Sequence, residues 1–379
     1  MLNFIFYNPT KIIFGKDTTL KIGKAIKEKR CLLIYGRGSI IKTGIYDKVM
    51  ESLKKAGKEV IEKGGVKPNP ILSFVYETIE LARKEKVECV LAVGGGSVID
   101  TAKTVAAGYY YDGDVWDFFI NKAKIQKALP IYVVLTLSAT GSEMNKFAVI
   151  TNEKTKHKCA IRSEWIFPKL SILDPVNTYT VPKNQVAYGC VDAILHLVEG
   201  YFTKDYPNTP IQDGFVETLV KVIIDSTFRI FDNPKDYDVR AQFMWSATLA
   251  LNGLTTAGIG KFSFSNHTIA HALSALYDLP HGATLSIVFP AWLKYHLKDK
   301  KERISRFGKA IFNETDPEKV ILKIEELFTS LEVPIRLSQV NISEDAIPEI
   351  AQNAYTYVEF AKQKYLTLEE ITEILKIAK

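Results

Sequence analysis

One aspartate and four histidines are grouped in two short segments of the sequence. Asp192 and His196 stand four residues apart, and His267 and His271 repeat that spacing ahead of His281. Residues four apart share one face of a helix, with Cβ atoms roughly 5 to 6 Å from each other. Side chains placed in this way can bind a single metal ion.

The alternative is that each histidine is an ordinary core or helix-capping residue, as a lone histidine most often is. Here the neighbours Ile194, Leu195 and Ile269 are apolar. A group of polar side chains buried among them without partners would be costly. The joint pattern therefore favours a metal site. Imidazole and carboxylate ligands without thiolate suit one Fe²⁺ or Zn²⁺ ion in a catalytic site, whereas closed structural zinc sites usually employ cysteine.

The other two of the six histidines, His157 and His296, have no such partners nearby in the sequence. We predict that both are solvated surface residues.

A glycine-rich turn follows the apolar run Cys89–Val93. The residues Gly94 to Ser97 connect this predicted strand to a helical pattern. Such a turn offers free backbone N–H groups at the positive end of a helix dipole, which is a site for phosphate. We expect Ser97 to cap the helix and to donate its hydroxyl to the anion. On this motif alone, it is equally possible that the glycines only let strand and helix pack closely.

A second loop follows the predicted strand Cys31–Tyr35. It has two of the three glycines of a dinucleotide fingerprint. No acidic residue is present for the adenosine ribose, and basic and hydroxyl side chains, with nearby Lys42, could bind a 2′-phosphate instead. This favours NADP over NAD. The loop consists of Gly36, Arg37, Gly38 and Ser39.

A third loop, Thr136–Glu143, follows the predicted strand Ile131–Leu135 and carries four hydroxyl side chains before its glutamate. It suits a pyrophosphate or a nicotinamide ribose. The same residues could instead cap a helix.

Alternating strand and helix patterns precede Pro182 and predict a Rossmann-like parallel α/β sheet. A hairpin within Phe147–Ile161 is expected to extend that sheet. Helical patterns alone follow Lys183. Because proline favours the first turn of a helix, we expect a dinucleotide-binding domain over 1–182 and an all-helical, metal-binding domain over 183–379. The clearest patterns are the strands Cys31–Tyr35, Cys89–Val93 and Ile131–Leu135 and the helices Ile41–Ala56, Leu72–Lys84 and Val98–Ala107.

Composition describes an ordinary globular protein. Of its 379 residues, 47% are hydrophobic and 24% charged, which argues against disorder or fibrous repeats. The net charge of +6 is dispersed and does not indicate a nucleic-acid partner. We find neither an export signal nor an apolar run long enough to cross a membrane. The four cysteines form no CxxC pair, so we expect reduced, buried thiols in a cytoplasmic protein.

Taken together, the glycine-rich turn, the hydroxyl loop and the aspartate–histidine group resemble the iron-containing alcohol dehydrogenase family over nearly the whole chain. Within it, Val66–Pro70, Ala139–Asn145 and Ser274–Asp278 are similar to the branch of butanol dehydrogenases and NADPH-dependent aldehyde reductases. Phe147 and Lys261–Ser265 depart from the family pattern near the substrate pocket. The resemblance implies a dehydroquinate synthase-like N-terminal fold and a homodimer.

The resemblance also implies roles for individual residues. It makes Asp192, His196, His267 and His281 the metal ligands. His271 matches a histidine near the nicotinamide and is our candidate for a proton relay or for orienting the cofactor and the substrate. The resemblance places the pyrophosphate on Gly95, Gly96 and Ser97, the nicotinamide near Asp100, the dinucleotide along Thr136 and Thr140, the cofactor ribose on Lys158, and a 2′-phosphate on Gly38 and Ser39.

The reaction expected on this basis is hydride transfer between NADP(H) and a primary alcohol or aldehyde, with the metal acting as a Lewis acid toward the substrate oxygen. Three alternatives remain. One is a glycerol dehydrogenase-like enzyme. Another is a dehydroquinate synthase-like lyase, although the basic cluster expected for a phosphorylated sugar acid is not found between Asp192 and His281. The third is a noncatalytic nucleotide- or metal-binding protein.

Overall fold

The computed structural model describes residues 1–362 and 365–379 and has an α/β half followed by a helical half. The strands are β1 (Lys11–Phe14), β2 (Arg30–Gly36), β3 (Glu59–Val66), β4 (Cys89–Gly94), β5 (Ile131–Leu135), β6 (Phe147–Asn152), β7 (His157–Arg162) and β8 (Leu170–Leu173). The first five helices are α1 (Ile22–Ala25), α2 (Ser39–Lys42), α3 (Ile45–Lys55), α4 (Leu72–Lys84) and α5 (Gly96–Gly108). The later helices are α6 (Lys183–Thr203), α7 (Pro210–Asp232), α8 (Tyr237–Ala250), α9 (Ser265–Tyr277), α10 (His281–Tyr295), α11 (Leu297–Phe312), α12 (Pro317–Ser330), α13 (Ile347–Phe360) and α14 (Leu368–Ile377).

Six strands form one parallel sheet in the order β1-β8-β5-β4-β2-β3, which confirms the predicted fold class. Alternate residues of its central strands pack into two cores, one under α4 and α5 and one under α1 and α3. Because β5, β4 and β2 are neighbours and parallel, the three loops singled out in the sequence meet at one edge of the sheet.

Three features of this half differ from the prediction. The hairpin of β6 and β7 is a separate antiparallel sheet, because β6 packs across α5 instead of pairing with a strand of the large sheet. The helix expected over Ile41–Ala56 is broken before α3, where Gly44 adopts a left-handed φ of 75°. Strands β1, β3 and β8 are additional: β1 and β8 have only four residues, and charged residues interrupt the apolar run of β3.

The helical half begins with α6, directly after Pro182, and its helices share one large apolar core. Gly282, in the first turn of α10, allows this helix to approach α6 closely. A Cβ at that position would lie 2.4 Å from the carbonyl oxygen of Tyr188. The close approach brings His281 beside the face of α6 that carries Asp192 and His196.

All four cysteines are buried and free, as predicted. They are Cys31, Cys89, Cys159 and Cys190. Within the described ranges, no helix is both long enough and apolar enough to cross a membrane.

The prediction for the two remaining histidines is wrong, because both are partly buried against aromatic rings. The ring of His157 lies 5.5 Å from that of Phe360, and the ring of His296 lies 4.4 Å from that of Trp292. Burial lowers the pKa of each imidazole.

Candidate active site

Three helices bring the predicted metal ligands together. Asp192 and His196 lie on α6, His267 lies on α9, and His281 begins α10. Asp192 Oδ1 is 3.6 Å from His196 Nδ1, 3.7 Å from His267 Nε2 and 3.8 Å from His281 Nε2. The carboxylate is therefore the centre of the group.

The donor atoms of this group fit a divalent cation. Asp192, His267 and His281 each offer one ligand atom, and these atoms lie within 4.8 Å of one another. The buried atoms Asp192 Oδ1 and His267 Nε2 have no hydrogen-bond partner among the described residues. The ring of His196 stacks on that of His267 at 4.6 Å, beside the three converging atoms. Two imidazoles and one carboxylate converge here, and His196, beside them, would complete a donor set that suits Fe²⁺ or Zn²⁺.

Charge in the group is concentrated on two residues. Burial favours the neutral form of Asp192, but His196 and His267 outweigh burial and lower the pKa of its carboxyl. Burial opposes the charge on His267, yet the nearby carboxylates of Asp192 and Glu199 raise its pKa to about 9. Burial lowers the pKa of His196 to about 4. A metal ion would take the place of the proton on His267, since ligation requires a neutral imidazole.

Glu199 belongs to this site and was missed in the sequence. Its carboxylate Oε1 accepts hydrogen bonds of 3.0 Å from both the backbone N–H and Nδ1 of His267. With Nδ1 protonated, His267 presents a free Nε2 toward Asp192. Glu199 could have been found in the sequence from its spacing, because it lies three residues after His196 and seven after Asp192, on the same helix face.

Replacing Glu199 with glutamine is expected to weaken metal binding by roughly 10- to 100-fold, because the amide supports the ring of His267 less well than a carboxylate does. Isothermal titration of the metal-free protein with Zn²⁺ measures this. Glu217→Gln, on the neighbouring helix α7, is the matched control and should bind Zn²⁺ like the wild type. Unchanged affinity in Glu199→Gln would show that the carboxylate does not support the ligand.

The glycine-rich turn lies between β4 and α5. Gly95 is the N-cap of α5 and Ser97 is already inside the helix, so the expected Ser97 cap is wrong. The turn is too tight to leave that position outside the helix. Gly96 permits a close approach of the hydroxyl loop, since a Cβ there would lie 2.5 Å from Thr140 Cγ2. The first turn of α5 and the hydroxyl loop therefore form one surface.

A cavity of about 940 Å³ lies between the two halves and joins this surface to the metal ligands. Of the predicted dinucleotide residues, it is lined by Arg37, Gly96, Ser97, Asp100, Thr140 and Lys158. The others, Gly36, Gly38, Ser39, Gly95 and Thr136, lie in or directly beside the same three loops but are not among the lining residues. Thr136 has a structural role beside the cavity. Its N–H donates a 3.1 Å hydrogen bond to the Gly94 carbonyl and so joins the ends of β5 and β4.

Asp100 and Lys103, on α5, attach the helix to the hairpin. Asp100 accepts hydrogen bonds of 2.6 Å from Ser142 Oγ and 3.0 Å from the Val149 N–H. The fully buried Lys103, which sequence analysis missed, donates to Ser142 Oγ, to the carbonyl and side-chain oxygens of Asn145, and to the Phe147 carbonyl, at 2.8 to 3.0 Å. Lys103 could have been found in the sequence from its position three residues after Asp100.

Lys158, on β7, lines the same cavity as the metal ligands. Its Nζ donates a 2.8 Å hydrogen bond to Asn69 Oδ1, and Asn69 Nδ2 bonds to Asp278 Oδ1 at 3.0 Å. Asn69 therefore connects the hairpin to the turn before α10.

His271 is buried beside the ligands, with its ring 5.0 Å from that of His281. Burial, reinforced by Lys158, holds its pKa well below the usual range. A neutral imidazole can accept a proton at one nitrogen and donate one from the other. This geometry is compatible with the predicted relay.

An aromatic wall formed by Phe147, Phe262 and Phe264 borders the cavity near the ligands. The rings of Phe262 and Phe264 are 5.4 Å apart, and that of Phe264 is 5.5 Å from His267. Two of these residues lie in the Lys261–Ser265 segment and the third is Phe147. The positions that depart from the family pattern thus form one apolar surface.

A parallel sheet with a phosphate-type turn, facing an aspartate–histidine group across one cavity, is the arrangement expected of a metal-dependent dehydrogenase. Comparisons agree. Residues 9–175 match the family described as iron-containing alcohol dehydrogenase, and residues 186–379 match the C-terminal part of that family. The chain belongs to the iron-containing alcohol dehydrogenase family and is an NAD(P)-dependent alcohol dehydrogenase of its butanol dehydrogenase branch.

Three relatives illustrate the similarity. A probable NADH-dependent butanol dehydrogenase 1 of Bacillus subtilis is 42% identical over 99% of both chains. The NADPH-dependent aldehyde reductase YqhD of Escherichia coli is 39% identical over 92% of both. The crystal structure of NADH-dependent butanol dehydrogenase A from Thermotoga maritima is 48% identical, covers 100% of this chain and 99% of that chain, and superposes with a TM-score of 0.96.

Proposed function

We propose that this enzyme interconverts primary alcohols and aldehydes with NADP(H), using one Fe²⁺ or Zn²⁺ ion held by Asp192, His196, His267 and His281. The convergence of Asp192, His267 and His281 in the cavity that also contains the dinucleotide loops carries the proposal. The Asp100, Lys158 and hydroxyl-loop side chains would position the cofactor. We also propose that the two domains meet at Pro182, over 1–182 and 183–379.

When bound, the metal would polarise the substrate oxygen and the dinucleotide would supply or accept the hydride. The chain contributes positioning and proton handling. Glu199 fixes the ring of His267, and the aromatic wall holds the apolar part of the substrate away from water. His271, neutral and buried, would relay the proton that aldehyde reduction consumes. Lys158 would orient the cofactor ribose beside these groups.

A preference for NADP(H) is proposed from the loop after β2. The loop has no carboxylate, and Arg37 lines the cavity. Names of the relatives divide between NADH and NADPH, so the residues of this loop carry the proposal.

Replacing Ser39 with aspartate should lower the ratio of kcat/KM for NADPH to that for NADH by at least about tenfold, or 1.4 kcal/mol, since a carboxylate repels the 2′-phosphate. Steady-state kinetics with both cofactors measures the ratio. Ser39→Ala is the matched control and should change it much less. If Ser39→Asp leaves the ratio unchanged, the 2′-phosphate does not bind here.

The proposed activity is tested by loading metal-free protein separately with Fe²⁺ and Zn²⁺ and assaying a panel of aldehydes. The aromatic wall favours aliphatic and aromatic aldehydes over polyhydroxylated ones, which also separates the proposal from a glycerol dehydrogenase-like enzyme. We expect aldehyde-dependent oxidation of NADPH only in the loaded protein. Binding of dinucleotide or metal without turnover would instead indicate a noncatalytic binding protein.

A homodimer is proposed from an exposed apolar region at the N-terminus. Ile5 is 95% exposed, Phe4 and Phe6 are about half exposed, and they precede β1, the edge strand of the sheet. Apolar surface beside an unpaired strand edge is typical of an interface. Light scattering should give about twice the chain mass of 42.6 kDa.

A cytoplasmic location, also proposed, fits the four free cysteines.

A further inference from the structure

Lys158 has an unusual environment for a lysine. The residue is only 6% exposed, yet it lines the cavity shared by the metal ligands and the dinucleotide loops. The hydrogen-bond acceptor of its Nζ is the neutral amide oxygen of Asn69, at 2.8 Å, and not a carboxylate. Among the residues that the structure describes, no carboxylate is bonded directly to this desolvated amine.

The orientation of the Asn69 amide shows that Lys158 needs to donate only one hydrogen bond to it. Asn69 Nδ2 donates to Asp278 Oδ1 at 3.0 Å and to the Leu279 carbonyl at 3.1 Å, so the oxygen of the amide faces Lys158. The amine needs only one N–H to satisfy that oxygen. In its neutral form, the nitrogen lone pair is not used by this bond.

Burial of Lys158 shifts its titration toward the neutral amine. Burial lowers the pKa of Lys158 to about 8, although Asp192, Asp100 and Asp278 favour the charged form. An ordinary lysine titrates near 10.4, so at pH 7.5 the neutral fraction of Lys158 is larger by about two orders of magnitude. Desolvated lysines of this kind are the nucleophiles that form Schiff bases with carbonyl compounds.

We propose that Lys158 is a covalent capture site for small aldehydes when no dinucleotide is bound. The amine nitrogen attacks the carbonyl carbon and forms a C–N bond. The carbonyl oxygen leaves as water with the two amine hydrogens, which leaves an imine without net oxidation or reduction. The inference rests on the proposed function, because aldehydes enter this cavity as substrates.

Capture has a consequence for the order of binding. The proposed function places the cofactor ribose on Lys158, so a bound dinucleotide covers the amine. Enzyme that meets an aldehyde before the dinucleotide is blocked, whereas enzyme that binds the dinucleotide first is protected. Excess aldehyde is therefore expected to inhibit by competing with the cofactor.

The test uses the full-length, metal-loaded protein at pH 7.5 with propanal and sodium cyanoborohydride, which reduces an imine to a stable secondary amine. Peptide mass spectrometry gives the alkylation rate of each lysine. We expect Lys158 to react at least about tenfold faster than exposed lysines such as Lys84 and Lys122, since the lower nucleophilicity of a less basic amine offsets part of its larger neutral fraction. Saturating NADP⁺ or NAD⁺, which cannot reduce the aldehyde, should slow Lys158 by at least about tenfold and leave the other two unchanged.

A Lys158 rate equal to that of the exposed lysines, or one unaffected by both dinucleotides, would overturn the proposal. The variant Lys158→Arg retains a cation and a donor for Asn69. Pretreatment with propanal and cyanoborohydride should lower the turnover of the wild type but leave the turnover of Lys158→Arg unchanged. Equal declines in the two proteins would overturn the capture site. Aldehyde-dependent NADPH oxidation by untreated protein is measured in parallel, so absent capture with normal turnover rejects only the capture site.

Discussion

Replacing Asp192 with asparagine is expected to abolish metal binding and turnover. The carboxylate is the central member of the ligand group, 3.6 to 3.8 Å from three imidazoles. Asparagine keeps its size but removes the only negative charge among the four proposed ligands. The loss of metal affinity should exceed the roughly 10- to 100-fold effect expected when a supporting outer residue such as Glu199 is changed. Metal content after gel filtration and kcat/KM for an aldehyde measure the two effects.

A matched control for this substitution is Asp225→Asn, on the exposed surface of α7, where the carboxylate pairs only with Arg229 among the described residues. It should retain metal and activity, because exposed ion pairs contribute little. Full metal content and activity in Asp192→Asn would place the metal elsewhere or remove it from the reaction.

Replacing Lys103 with methionine is expected to destabilise the fold by roughly 3 to 5 kcal/mol, because it leaves several buried hydrogen-bond acceptors unpaired at about 1 to 3 kcal/mol each. The apolar side chain would also remove the amine that favours the charged form of Asp100. It would also leave the Asn145 and Phe147 carbonyls without their donor. Urea unfolding followed by circular dichroism measures the change in free energy. Because Lys103 holds the hairpin against α5, the KM for NADPH should rise in the folded fraction.

Two further variants show whether the loss of folding stability in Lys103→Met comes from its buried contacts. Lys84→Met, on the exposed surface of α4, should stay within about 0.5 kcal/mol of the wild type. The double substitution Lys103→Met with Asp100→Asn should lose less than the sum of the single effects, since it removes both interacting groups. Additive losses would mean that the two side chains do not interact energetically, and a loss below 1 kcal/mol would contradict the structural role of Lys103.

Spacing alone predicted the helix faces that carry the metal ligands, because i and i+4 residues must be neighbours on a helix. It did not predict Glu199 or Lys103. Each lies at helical spacing from a predicted site residue, but its hydrogen-bond partners lie far away in the chain: Lys103 bonds to a segment about forty residues later. The role of such a residue depends on tertiary contacts that the local pattern does not encode.

The fold was predictable to a similar degree and for similar reasons. Strands buried on both faces, such as β4 and β5, leave continuous apolar runs. Four-residue strands such as β1 do not, and a hairpin pattern does not indicate which sheet the hairpin joins. Ser97 illustrates the limit at single residues, because the choice between Gly95 and Ser97 as helix cap depends on the geometry of the turn.

The strand order has a consequence for how this enzyme could change. Starting from β4, the chain places β2 and β3 on one side and β5 and β8 on the other, so the cavity opens at the topological switch point of the sheet. A crevice at that point is created by the connectivity and not by any one side chain. Under the proposed function, substitutions in the loop after β2 are therefore expected to change the cofactor preference without disturbing the helices that carry the proposed metal ligands.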